Sequence, residues 1–141
     1  MNKKAIHILL VLVTILLSSC KNNTDSAKND GKFPEITFSK KTYDFGSVNQ
    51  GDIVETEFEF TNSGNKDLLI TQATGSCGCT IPDFPKRAIQ PGESEKIKVS
   101  FNSTGKSGMQ NKTVTIESNT KAGIETVNIT ANVIPRTGIA Q

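Results

Sequence analysis

The chain has 141 residues, 35% hydrophobic, 6% aromatic and 21% charged, without tryptophan, which suffices for one ordinary domain and not for two. Its formal charge of +2 includes Lys3 and Lys4, which lie in a segment with the marks of a leader; without them cations and anions balance at 14 each. A neutral chain is a poor candidate for nucleic-acid or acidic-lipid binding, both of which need a surplus of clustered positive charge. The single histidine, His7, lies in the same leader, so the mature chain has no imidazole for base catalysis or metal ligation.

Met1–Lys4 carries two lysines, and Ala5–Leu17 is a 13-residue apolar run ending in Leu17-Ser18-Ser19-Cys20. A basic start, a short apolar middle and small residues at the cut read as a secretory signal. A membrane-spanning helix would need about 20 apolar residues, more than this run has. A cysteine directly after Leu-Ser-Ser resembles the bacterial lipobox, which implies a signal peptide over 1–19 and Cys20 as the acylated first residue of a lipoprotein. Each buried CH₂ of an acyl chain, palmitate for example, contributes about 0.8 kcal/mol, so several chains hold a protein on a membrane without any span. Position 21 is Lys and not the Asp that retains lipoproteins in the inner membrane of some bacteria. The expected location is therefore the bacterial cell envelope, lipid-anchored to the outer membrane and facing the periplasm.

Lys21–Lys32 is rich in Asn, Asp, Lys and Ser, with no aromatic and no apolar β-branched residue. Such a segment buries too little surface to order itself, and residues 20–32 are expected to form a flexible tether. Asp25-Ser26-Ala27 matches a short pattern that is O-glycosylated on some exported bacterial proteins, which makes Ser26 a candidate. Asn22, Asn102, Asn111 and Asn128 match the N-glycosylation sequon, which carries no meaning in a bacterium of this kind.

From Phe33 the apolar period is two residues and no stretch shows helical spacing. Ile36–Phe38 and Thr42–Phe45 read as opening edge strands. Val54, Thr56, Phe58 and Phe60 alternate with Glu55, Glu57 and Glu59, so a strand there turns two aromatics inward and three carboxylates into water. Asn62-Ser63-Gly64-Asn65 closes it as a turn, and Leu68–Ala73 is a further strand. After the Pro91-Gly92 turn, Ile97, Val99 and Phe101 alternate with Lys96, Lys98 and Ser100. Val114 and Ile116 mark another strand, and Val127, Ile129, Ala131 and Val133 the last. Seven or eight short strands bounded by turn residues predict an all-β, antiparallel immunoglobulin-like sandwich over 33–135, followed by a tail over 136–141.

Tyr43-Asp44-Phe45-Gly46, then Phe58-Glu59-Phe60-Thr61-Asn62-Ser63-Gly64, Ser76-Cys77-Gly78-Cys79-Thr80 and Ile89-Gln90-Pro91-Gly92-Glu93 resemble, in order, the bacterial family called domain of unknown function 1573. The similarity runs from about Glu35 to Val133, and Ser-Cys-Gly-Cys-Thr is its most specific piece. The resemblance implies a relative of the Hydin-type and major-sperm-protein immunoglobulin-like domains, which bind other proteins and carry no known catalytic site.

Cys77 and Cys79 are the only cysteines after Cys20. In an extended strand, residues i and i+2 point the same way with Cα atoms about 6.6 Å apart, near the upper limit for a disulfide; Gly78 would permit a tighter bend. A bridge is expected to be strained and labile, of the kind used in redox work, and to stabilise the fold little because it closes almost no loop. Four readings stand: a structural turn feature, a redox-active dithiol, a soft-metal site in which two thiolates and Met109 take Cu(I), and intermolecular pairing. Zinc lacks a four-ligand set.

Glu55, Glu57 and Glu59 read as a solvated face, and Lys96 and Lys98 as outward, edge-protecting charges. Phe84, Lys86 and Arg87 follow Pro82-Asp83 in an expected loop, where Phe84 either plugs the end of the sandwich or presents a binding patch beside two cations. No phosphate loop, nucleophile elbow or calcium loop is present. The expectation is a membrane-tethered, non-enzymatic module with no cofactor and no catalytic residue, binding another envelope protein by edge-strand pairing. The alternative is a thiol-redox or copper-handling protein working through Cys77 and Cys79.

Overall fold

The computed structural model describes residues 31–136. Cys20, the leader, Ser26 and the tail after Arg136 lie outside the described residues, and so do the expectations attached to them. No helix among the described residues is long and apolar enough to cross a membrane.

Eight strands follow one another: β1 (Ile36–Phe38), β2 (Thr42–Asn49), β3 (Ile53–Asn62), β4 (Ile70–Gly75), β5 (Thr80–Asp83), β6 (Ser94–Asn102), β7 (Gly108–Ser118) and β8 (Ile124–Ile134). They form two four-stranded sheets, in the orders β1-β3-β6-β5 and β2-β8-β7-β4. The alternation of β3 places Phe58 and Phe60 inside and Glu55, Glu57 and Glu59 in water. Ile97, Val99 and Phe101 of β6, Val114 and Ile116 of β7, and Val127 and Ile129 of β8 complete a core in which each is at most 1% exposed. Full burial of each such side chain contributes about 1.5–3 kcal/mol.

Four features differ from the sequence reading. β2 runs parallel to β8, from Thr42 opposite Asn128 to Asn49 opposite Ile134, so the sandwich is mixed where an antiparallel one is expected. The chain leaves the first sheet after β1 and joins the second as its edge strand β2, on the side that lies against β3, and this change of sheet sets the direction. A bulge between Asp44 and Ser47 holds Gly46 at φ 67°. Second, the strand expected at Leu68 begins at Ile70, because Leu68 pairs with Ile89 in an isolated bridge that takes both fully buried side chains inward. Third, the expected loop at Pro82-Asp83 is strand β5; it lies at a sheet edge, where a residue without an N–H is tolerated.

Last, Lys96 and Lys98 stand on the interior strand β6 and protect no edge. They reach diagonally across β3, Lys96 to Glu57 and Lys98 to Glu55, each at 2.7 Å, although the residues directly opposite are Glu59 and Glu57. Long side chains span that diagonal. The pairing lowers the Glu57 carboxyl below its ordinary range and raises both lysines.

The register also sets distances. Ile36 lies opposite Asn62 at one end of β3, while Ile53 lies opposite Asn102 at the other. Nine residue steps separate those ends, about 30 Å at strand rise. The chain therefore arrives at one corner of the first sheet, beside edge strand β1, and β5 starts at the diagonally opposite corner.

Candidate functional site

At that opposite corner the chain crosses between sheets, from Gly75 at the end of β4 to Thr80 at the start of β5. The crossover is pinched at its base: a Cβ on Gly75 would lie 2.1 Å from the Thr80 carbonyl oxygen, so only glycine fits. Between these points Ser76 N–H donates to the Thr113 carbonyl at 2.8 Å, Thr80 N–H to the Cys77 carbonyl at 3.1 Å, and Asn102 N–H to the Cys79 carbonyl at 2.9 Å. Cys77 and Cys79 form a disulfide with a Cα separation of 5.2 Å. The extended-strand geometry expected of them does not apply, because residues 76–79 form a turn. Nor is Gly78 the residue that permits it: its φ is not positive, and the space where its Cβ would stand is open.

Cys79 packs against the core. Thr80 is 3% exposed, and its hydroxyl lies 3.6 Å from Cys77 Sγ and 4.0 Å from Cys79 Sγ. Disulfide sulfurs carry no hydrogen, so the hydroxyl donates; no other partner for it is seen among the described residues. Sequence reasoning placed Thr80 in the Ser-Cys-Gly-Cys-Thr run without a role. Its position three residues after Cys77 and next to Cys79 was the available signal.

Met109 is not brought to the pair. The chain before Cys77 meets β7 at Thr113, and Met109 lies four residues further along that strand, about 13 Å away, with 74% of its surface exposed. Among the described residues no three His, Cys, Asp or Glu side chains gather as a ligand set.

Phe84, Lys86 and Arg87 do come together, around an open recess of about 630 Å³ over the outer face of β5 and β6. Phe84 is half-buried against the core, and the Lys86 ammonium sits 3.1 Å above its ring centre. Arg87 is committed elsewhere. Its guanidinium bonds Glu93 at 2.7 Å and also grips Glu95, which keeps it charged and lowers the Glu93 carboxyl.

The edge of β7 was not foreseen. β4 has 6 residues and β7 has 11, and β4 reaches only Val114, with Ser76 adding a contact at Thr113. Backbone groups of alternate residues face the same side of an antiparallel strand. Because Thr113 faces β4, Asn111 and Met109 also present their N–H and C=O to that side, where no described strand pairs with them.

These features define an immunoglobulin-like sandwich with a disulfide in one sheet-to-sheet crossover and an unpaired stretch of edge beside it. Residues 36–133 match the family model described as "Protein of unknown function (DUF1573)", and the chain belongs to that family. No curated protein matches the chain. Among solved structures it is similar to a protein of unknown function from Porphyromonas gingivalis W83, with a TM-score of 0.62 at 17% identity over 72% of this chain; it spans 47% of that one. The ASH/PapD-like domain of human CEP192 superposes with a TM-score of 0.60 at 10% identity, over 74% of this chain and 88% of that domain. The YadV chaperone does so with a TM-score of 0.52 at 15% identity, over 73% and 54%. At these identities the likeness is one of fold.

Proposed function

We propose that this protein is a lipid-anchored, non-enzymatic module of the bacterial envelope that binds another exported protein by taking an extended segment onto the free edge of β7. The observation that carries the reading is that edge: Met109 and Asn111 turn unpaired backbone groups outward beyond the end of β4. An added strand would satisfy these groups, and the exposed side chains along it would select the partner. Met109 is unbranched and polarisable, suited to an irregular apolar partner. Ile81 on β5, at 63% exposure, is a second apolar residue left in water.

The anchor in this reading is Cys20, with a tether leading to Phe33 and the corner at Ile36. β7 runs toward that end and starts at the other, since its Glu117 lies opposite Ile124 and its Gly108 opposite Val133, and the recess at the corner is lined by Phe33 together with Thr120 and Lys121 of the β7–β8 turn. The free edge, at the Gly108 end of β7, is therefore at the opposite end of the domain from Phe33. The test is a photo-reactive residue at Met109 of the full-length protein in its own cells, with a second one at Glu59 as control. A discrete adduct with one exported protein is expected from Met109 alone, and it should vanish when Asn111→Pro removes the backbone donor. The same adducts from both positions, or none from Met109, would overturn the reading.

A further inference from the structure

We propose that Cys77 and Cys79 form a thiol–disulfide exchange site for an exported dithiol, with the Thr80 hydroxyl as the group that stabilises the reduced pair. The Thr80 hydroxyl is buried and donates only toward sulfur. A disulfide sulfur is a weak acceptor, whereas a thiolate is a charged and strong one. The same hydroxyl therefore gains more when the pair is reduced than when it is oxidised, and stabilising the reduced form makes a disulfide more oxidising. Nothing on the oxidised side offsets this strongly, because a bridge between residues two apart closes too small a loop to restrain the unfolded chain.

The two sulfurs are also inequivalent. Cys79 packs on the core and its carbonyl is held by Asn102, whereas Cys77 is absent from the packed set and is half-buried. The open space at Gly78 leaves one flank of the loop uncovered. A partner thiolate attacks Cys77 Sγ; a bond forms between the partner sulfur and Cys77, the Cys77–Cys79 bond breaks, and its electron pair leaves on Cys79, within reach of the Thr80 hydroxyl. The partner's second thiolate then attacks the partner sulfur of the mixed disulfide, and Cys77 departs as a thiolate. The partner's two thiol protons end on Cys77 and Cys79; the partner is oxidised by two electrons and the pair is reduced by two.

The test equilibrates the full-length protein anaerobically with graded mixtures of reduced and oxidised glutathione, traps the thiols by acid quench and alkylation, and counts them by mass. The wild-type pair is expected to titrate as one two-electron couple within the glutathione range. Thr80→Val should shift the equilibrium about tenfold toward the disulfide, equivalent to about 30 mV, and Thr80→Ser should restore it to within about twofold. A pair that stays oxidised throughout, or a Thr80→Val variant that titrates with the wild type, would overturn the proposal. Should Thr80→Val fail to fold, Cys79→Ser provides the second measurement. The rate of Cys77 alkylation against pH should report a thiol pKa below the ordinary value of about 8.5, and a value at or above it would overturn the proposal equally.

Discussion

The two diagonal corners of the first sheet are tied down in different ways. At the N-terminal corner the fully buried Asn62 side chain serves four backbone partners: its amide nitrogen donates to the Lys66 carbonyl at 2.8 Å and the Ile89 carbonyl at 2.9 Å, and its oxygen accepts from Gly64 N–H at 3.1 Å and Glu35 N–H at 3.4 Å. Gly64 lies so close under the arriving chain that a Cβ would stand 2.3 Å from the Phe33 carbonyl oxygen. At the crossover corner one buried hydroxyl meets two weak acceptors, and a glycine faces open space. The first corner uses polar groups to fix the fold. The second places a buried hydroxyl and a disulfide where neither stabilises the fold much.

The sharpest way to break this contrast is to weigh both corners against the core they share. Phe60→Ala, beside Phe38 in the buried cluster, should cost about 3–5 kcal/mol in denaturant titration. Asn62→Ala should come next, at about 3 kcal/mol, because three backbone groups lose their side-chain partner inside the protein and the Ile89 carbonyl keeps only Leu68 N–H; a loss below about 1 kcal/mol would mean that water replaces the amide and the corner is not fixed by it.

Glycines sharpen the comparison within the crossover itself. Gly75→Ala should cost about 1–3 kcal/mol by forcing Cβ onto the Thr80 carbonyl. Gly78→Ala meets nothing and needs no unusual φ, so it should be neutral or stabilise by about 0.5 kcal/mol through the unfolded chain. Replacing both Cys77 and Cys79 with Ser should leave the protein folded and lower its stability by about 1 kcal/mol or less, read from the same titration. A large loss would make the crossover corner structural after all.

The smallest effects belong to the outer face. Glu57→Gln removes an exposed ion pair with Lys96, and its effect on the melting temperature should be slight and should shrink further with added salt. Acid should act through the same kind of group. Hydrogen bonds from Gly46 N–H and the Thr130 hydroxyl lower the Asp44 carboxyl, and Arg87 and the Gln90 N–H lower Glu93. A carboxyl depressed by folding adds stability that is complete above its unfolded value, about 4, and is lost as pH falls through the folded one. Melting temperature should therefore decline as pH drops below about 4, and Thr130→Val should flatten the part of that decline due to Asp44.

Much of the fold was legible because its signals are local. The alternation of Val54, Thr56, Phe58 and Phe60 against three glutamates specifies a strand and its inward face from period alone, and Asn62-Ser63-Gly64-Asn65 and Pro91-Gly92 announce their turns by residue type. β5 escaped because Pro82 argues against a strand until its edge position is known. The disulfide was weighed for a strand because nothing local says that Ser76–Cys79 is a crossover.

By itself, then, the sequence determined the sandwich, its core faces, its family motifs and the cysteine pair, all of which follow from spacing and residue type along the chain. Only the tertiary structure decided that β2 lies parallel to β8, that Asn62 is a buried anchor and that β7 outruns β4. Each of these depends on residues far apart in sequence meeting across or between sheets, Asn62 with Ile89, Ser76 with Thr113, Thr42 with Asn128. Pairing of that kind is set by register and by the order in which strands join a sheet, and period-two alternation carries no information about either.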